Sequence, residues 1–228
     1  MQRAAMLFAG VMAVATASAS ADVSPGERGR LLAAAKATDD VRGIVPTDLW
    51  TRARCVVVIP ELKKAALVVG GEFGKGVMSC RAGGGQGAGA SGEGWSAPMF
   101  LELARGSWGF QAGAEQIDVV MLVMNEDGEQ KLLQNTVTLG ADASVAAGPT
   151  GRQGHLGTDS ALKADLISYS RAQGLFAGLD LSGGVLSPDL EANRSIYGRA
   201  ATPRSILATR AMSAPPEARP FLNALVKR

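Results

Sequence analysis

Five basic residues, Lys63, Lys64, Lys75, Arg81 and Arg152, stand in or beside glycine turns, a pairing of residue types suited to holding an anion. A phosphate group is bound by a few Lys or Arg side chains together with free backbone N–H groups, which glycine turns expose readily. The densest example is Leu67 to Met78, LVVGGEFGKGVM, which reads as two short strands joined through glycine. A nucleotide loop is excluded by spacing. A phosphate loop needs four residues between its first Gly and the Gly-Lys pair and then a Ser or Thr, whereas three separate Gly70 from Gly74 and Gly76 takes the hydroxyl position. Gly87 to Gly92 matches the dinucleotide pattern G-x-G-x-x-G, but Gly94-Trp95-Ser96-Ala97-Pro98 follows where a helix must open.

Other chemistry is poorly supported. His155 is the only histidine and lies between Gly154 and Gly157, where a catalytic base is badly held. The nucleophile elbow G-x-S-x-G does not occur. Asp118, Asp142 and Asp180 flank predicted strands as turn or cap residues. Two cysteines and one histidine are too few for a zinc site, so no metal and no cofactor is expected. A candidate disulfide joins Cys55 and Cys80, closing a loop that the chain-entropy model values at roughly 3 to 4 kcal/mol.

An oxidising compartment for that bridge is indicated at the N-terminus. Met1-Gln2-Arg3, an apolar run too short to span a bilayer, and Ala19-Ser20-Ala21 describe a secretory signal peptide over residues 1–21, cleaved after Ala21. The expected location is periplasmic or secreted, peripheral to a membrane. Its removal leaves residues 22–228 as one domain with a net charge of about +1, without the basic excess of a nucleic-acid binder.

The elements that must position the cations follow in order. Ser24-Pro25 with Glu27 opens a helix down to about Asp40, and Pro46-Thr47-Asp48 a short one over Leu49 to Arg52. Cys55 to Ile59 is a β-branched strand stopped by Pro60, with Glu61 to Lys64 a turn. Gly83 to Gly94 is a low-complexity loop. Met99 to Ala104 is a short apolar segment, Arg105-Gly106 a turn, and Ser107 to Ala114 a strand. Ile117 to Met124 is a strand buried on both faces. A helical turn over Glu129 to Gln134, a strand region over Thr136 to Ala146, and a hairpin of Ala164 to Ser170 with Gly174 to Leu181 come next, with Gly183-Gly184 and Pro188 closing the β part. Helices occupy Glu191 to Tyr197, Pro203 to Thr209 and Pro216 to Val226. The pattern predicts an α+β fold: a curved, mostly antiparallel sheet with helices at the N- and C-terminal ends.

Several of these blocks resemble the SYLF lipid-binding domain: Lys64-Ala65 through Gly74-Lys75-Gly76, Trp95 to Phe100, Gly109 to Ala114, Leu139 to Arg152, Tyr169-Ser170-Arg171 with Gly174 to Gly178, and Tyr197-Gly198. The resemblance covers nearly all of residues 30–210. It implies a non-enzymatic domain that in eukaryotic relatives binds phosphoinositides and accompanies membrane-trafficking and actin modules, and that in exported bacterial members stands alone. The expected partner is therefore phospholipid or a membrane surface. The alternative is a structural or protein-interaction role in the cell envelope, with the glycines serving only tight packing.

Overall fold

The computed structural model describes residues 23–66, 69–81, 94–108, 113–149, 163–172, 174–208 and 212–227. The signal-peptide segment, residues 83–93 of the Gly-rich loop, Arg152 and His155 lie outside them.

Helix α1 (Pro25–Arg42) starts as its sequence requires: the Ser24 side chain accepts a hydrogen bond from the Glu27 N–H, and Pro25 takes the first helical position. Helix α2 (Thr47–Arg52) follows after a short link. Strands β1 (Cys55–Ala66), β2 (Val69–Cys80), β3 (Met99–Trp108) and β4 (Gly113–Val123) form the centre of the sheet. After α3 (Glu126–Leu132) come β5 (Val137–Thr138), β6 (Val145–Ala147), β7 (Leu166–Ala172), β8 (Leu175–Gly178) and β9 (Val185–Pro188). The chain closes with α4 (Leu190–Tyr197), α5 (Pro203–Leu207), a 3₁₀ turn (Pro216–Ala218) and α6 (Arg219–Val226).

The strands lie in the order β5-β9-β3-β2-β1-β4-β7-β6, with β8 sharing the β6 edge of β7. All pairs are antiparallel except β6–β7. The sheet curls strongly into a half-barrel, so the fold is α+β with helices toward both chain ends, as the pattern of elements predicts.

Strand alternation divides the core. Val56 and Val58 of β1, Val77, Phe100, and Val120 and Leu122 of β4 face α1, α2, α4 and α6. Val57, Ile59 and Leu62 of β1, with Val119 and Met121 of β4, face the opposite side, where α3, α5 and the β5–β9 edge cover them. Cys55 and Cys80 stand opposite each other at the end of the β1–β2 ladder, buried on this second side, and are joined (S–S 2.05 Å). Arg42 fastens α1 to α6: its guanidinium donates to the carbonyls of Ala224 (2.8 Å), Leu225 (2.7 Å) and Lys227, the terminal acceptors that a helix leaves unpaired.

Three turns expected from sequence are strand instead. Pro60 does not stop β1, which runs on to Ala66 through an irregularity holding one extra residue between Ile59 and Leu62. Proline cannot donate to a ladder and is tolerated inside a sheet only where pairing is interrupted, and a bulge is such a place. Glu61 takes a left-handed φ of 54° there, and its N–H donates to the Asp118 carboxylate at 3.1 Å, so Asp118 closes the bulge rather than capping a strand in solvent. The glycines around Lys75 are likewise mid-strand. Ladder partners run from Val69 to Met78 without a break against β3, and through Arg105 and Gly106 as well. A Cβ on Gly74 would sit 2.6 Å from Ile59 Cγ2, and one on Gly76 2.2 Å from the Val58 carbonyl oxygen. These positions are glycine because bulged β1 lies directly over them, with the Ile59 and Leu62 side chains above Gly74 and the Val58 backbone above Gly76.

Candidate functional site

The bulge creates the site. Where β1 swells at Pro60–Glu61, the N-terminal half of α1 crosses above it, and the space between is an open groove of about 500 Å³. Gly26, Gly29 and Ala33 form the α1 wall, and their absent or single-methyl side chains leave the room. Strand alternation then decides which cations enter. Lys63 lies opposite Phe73 in the β1–β2 register, Lys75 follows two residues later on the same face, and all three line the groove with Arg30 of α1.

Lys63 is exposed and has no ion pair among the described residues. Lys75 donates to Asp189 Oδ2 at 2.8 Å, and Arg30 donates to the same oxygen at 3.2 Å. Asp189 is buried, while the Lys75 side chain keeps 42% of its surface in solvent. The other Asp189 oxygen, Oδ1, accepts from the Ala192 N–H and caps α4. Burial pushes the Asp189 carboxyl up, but the Lys75 ammonium, the Ala192 amide and the Arg30 guanidinium together hold it below the usual carboxylate range. Arg30 also lies 5.4 Å over the Phe100 ring, which fixes its direction. Phe73, about half exposed, supplies an apolar surface beside the cations, and Glu61 is the one acid among the described residues that line the groove.

The other sequence candidates go elsewhere. Lys64, one residue from Lys63, points to the opposite face of the sheet, 3.7 Å from Glu72, whose second oxygen is 3.6 Å from Arg105. The Lys63–Lys64 pair is therefore split by the strand period. Arg81 serves the fold: its Nε donates to the Ala53 carbonyl at 2.9 Å, Nη2 reaches the Trp50 carbonyl at 3.4 Å, and the guanidinium stacks 4.6 Å from the Trp95 ring. Burial lowers its pKa from the ordinary arginine value. Trp95 and Phe100 are core residues. Cys55, Cys80 and Glu129 come together, but the cysteines are bridged and the Glu129 carboxylate accepts from Arg54 at 2.6 Å, so the cluster offers no metal ligand set.

Arg30, Asp189 and Phe73 were missed by sequence reasoning. A signal existed for Arg30: Gly26, Gly29 and Ala33 at helical spacing mark an open face on the N-terminal half of α1, and Arg30 stands beside it. Pro188-Asp189 ahead of a helix signals an N-cap, but not that its free oxygen would reach two cations far away in sequence.

Comparison with known proteins identifies a family. The family model Ysc84, described as "Las17-binding protein actin regulator", matches residues 104–228. LAS seventeen-binding protein 3 of Saccharomyces cerevisiae is 32% identical over 188 residues, covering 81% of this chain and 39% of that protein. Protein YSC84 of the same yeast is also 32% identical, over 81% of this chain and 38% of its own length. SH3 domain-containing YSC84-like protein 1 of Xenopus laevis is 32% identical over 159 residues, 68% of this chain and 44% of the relative. The chain thus spans about two fifths of the length of these relatives, and on the family match and these identities it belongs to the Ysc84, or SYLF-domain, family.

Proposed function

We propose that this protein binds anionic phospholipid headgroups at a membrane surface of the cell envelope, through the groove between α1 and the β1 bulge, and catalyses no reaction. The observation that carries this is the convergence of Arg30, Lys63 and Lys75 on one open groove beside the half-exposed Phe73. A chain near neutrality attracts an anionic surface only through a local patch, at about 1 kcal/mol per basic residue close to the surface. An aromatic ring beside such a patch suits the headgroup layer, where one side is apolar and the other wet. The attachment proposed is peripheral, and no helix among the described residues is long and apolar enough to cross a membrane. The periplasmic or secreted location rests on the residue pattern of the first 21 positions.

Co-sedimentation with vesicles tests the reading. The wild type is expected to pellet with phosphatidylglycerol-containing vesicles and not with phosphatidylcholine alone, and to be released by salt as surface electrostatics are screened. Lys63→Glu/Lys75→Glu is expected to weaken binding by at least tenfold, since two attractive charges become repulsive. Lys64→Gln, on the opposite face, leaves it unchanged. Equal binding by all three proteins, or none by the wild type, rejects the proposal.

A second reading is favoured by one observation: Arg30 and Lys75 already hold an internal acid. On that reading the domain docks a protein, as the family description "Las17-binding" states for its own members. Absence of vesicle binding at every lipid composition supports it.

A further inference from the structure

Asp189 divides its two oxygens between two tasks. Oδ1 caps α4 through the Ala192 N–H, while Oδ2 alone receives both Lys75 and Arg30. The second oxygen holds Lys75, a cation that also lines a groove open to solvent where a ligand phosphate could meet it. We infer that Asp189 is the resting occupant of the anion site, an internal surrogate that an incoming phosphate group displaces from Lys75. The inference rests on the headgroup reading above and adds its regulation: the site is self-competed, and its affinity is set by the acid behind it.

The geometry makes exchange feasible at one cation in particular. Lys75 is 42% exposed and stands at the end of a flexible stem, so it can swing from Asp189 toward the groove mouth. Arg30 is 12% exposed and fixed over Phe100, so it stays with Asp189 and keeps that buried carboxylate paired while Lys75 is away. The α4 cap is untouched, because Oδ1 takes no part. Across the strand pair, Glu102 lies opposite Lys75 but forms no ion pair with it among the described residues, so Asp189 is the acid that governs this lysine. Lys63 and the glycine-lined α1 wall remain as the permanent part of the site. The ligand chemistry is an ionised phosphate ester whose oxygens take the place of Oδ2 at Lys75.

Asp189→Asn isolates the second task, since asparagine caps a helix about as well as aspartate but offers no anionic Oδ2. The probe is phosphatidylcholine vesicles with and without phosphatidylglycerol, and the full chain is used. Asp189→Asn is expected to bind the anionic vesicles about fivefold or more tightly than the wild type, the scale of one charge at such a surface. The gain is expected to vanish in Asp189→Asn/Lys75→Gln. Asp127→Asn, which removes an exposed acid on α3, separates this from net charge: its smaller effect persists when combined with Lys75→Gln.

Equal binding of Asp189→Asn and the wild type, with Lys63→Glu/Lys75→Glu still deficient, overturns the exchange and leaves the headgroup reading standing. No binding by either overturns both. Inorganic phosphate that releases the protein from vesicles and binds Asp189→Asn with the same gain supports exchange and assigns the free ion as its source. If Asp189→Asn does not fold, the wild type answers through ¹³C-dimethylated lysine resonances on anionic nanodiscs. Movement of the Lys75 signal while that of Lys131, held by Asp165 at 2.7 Å, stays fixed supports exchange, and an unmoved Lys75 signal at saturation overturns it.

Discussion

Gly76→Ala tests whether the glycines beside Lys75 belong to a packed strand or to an exposed anion-binding turn. A Cβ at Gly76 would lie 2.2 Å from the Val58 carbonyl oxygen, 2.9 Å from Ile59 Cγ1 and 3.0 Å from Ile59 Cα. Ordinary contact begins near 3.4 Å, so the β1 backbone would have to retreat by more than about 1 Å. It has little freedom to do so: β1 is hydrogen-bonded to β2 on one side and β4 on the other, and Val58 and Ile59 are fully buried. Overpacking a close-packed interior costs about 1–3 kcal/mol, and ladder bonds lost at the bulge add to it. The expected loss is ~3 kcal/mol, a large share of a typical total of about 5–15 kcal/mol. With a urea slope of roughly 2 kcal/mol/M, the unfolding midpoint falls by about 1.5 M. Gly29→Ala is the matched control. Nothing lies within 4 Å of its Cβ and its site is an exposed helix interior, so it gains roughly 0.5–1 kcal/mol. A Gly76→Ala protein within about 0.5 kcal/mol of the wild type that loses only vesicle binding would refute the strand account and restore the turn.

Two further outcomes follow from side-chain geometry. Arg81→Ala loses two hydrogen bonds to backbone carbonyls and a stack on Trp95, so urea unfolding is expected to show a loss of about 1–3 kcal/mol, with vesicle binding of the folded fraction unchanged. Reduced binding would place Arg81 back among the headgroup cations. The Asp165 carboxyl is pushed up by burial but held below the ordinary value by Lys131, the Ser144 N–H and Asn125. A depressed folded pKa contributes stability that is fully present above the unfolded value of about 4 and is lost as pH falls through the folded one. The gap in stability between wild type and Asp165→Asn is therefore expected to be constant from neutral pH down to about 5 and to narrow below about 4. A gap independent of pH would contradict the assignment.

Elements whose signals are local were legible in the sequence. The Ser24-Pro25 start of α1, the β7–β8 hairpin and the proline-opened C-terminal helices rest on contacts within a few residues and lie close to their expected places, whereas β4 opens earlier than expected, at Gly113, and the strand expected over Ser107 to Ala114 is shared between the end of β3 and the start of β4. The failures share one physical cause, an interaction between residues far apart in the chain. Pro60 and the glycines of β2 carry ordinary turn signals, yet the bulge makes room for the proline while the passing strand demands the glycines. Arg105-Gly106 resembles a turn, but its ladder partners in β2 hold it extended. Strand β9 was not found because its four residues are ordered by pairing with β3 and β5. In the site, Lys63 and Lys75 were visible as cations near glycine. That they share a face while Lys64 does not depends on the strand period continuing through the bulge, and that Asp189 reaches them depends on α4 docking beside β3, where Asn193 exchanges hydrogen bonds with the Phe100 backbone.

The central claim is that the groove face meets the lipid surface, and Phe73→Trp reads this directly because position 73 is half exposed beside Lys63 and Lys75. With phosphatidylglycerol vesicles carrying a nitroxide on the headgroup, the account predicts that the fluorescence added by the new tryptophan, over the wild-type background, is quenched on binding and recovers when Lys63→Glu/Lys75→Glu is introduced. Vesicle binding that leaves the added fluorescence unquenched would show that another face of the protein meets the membrane.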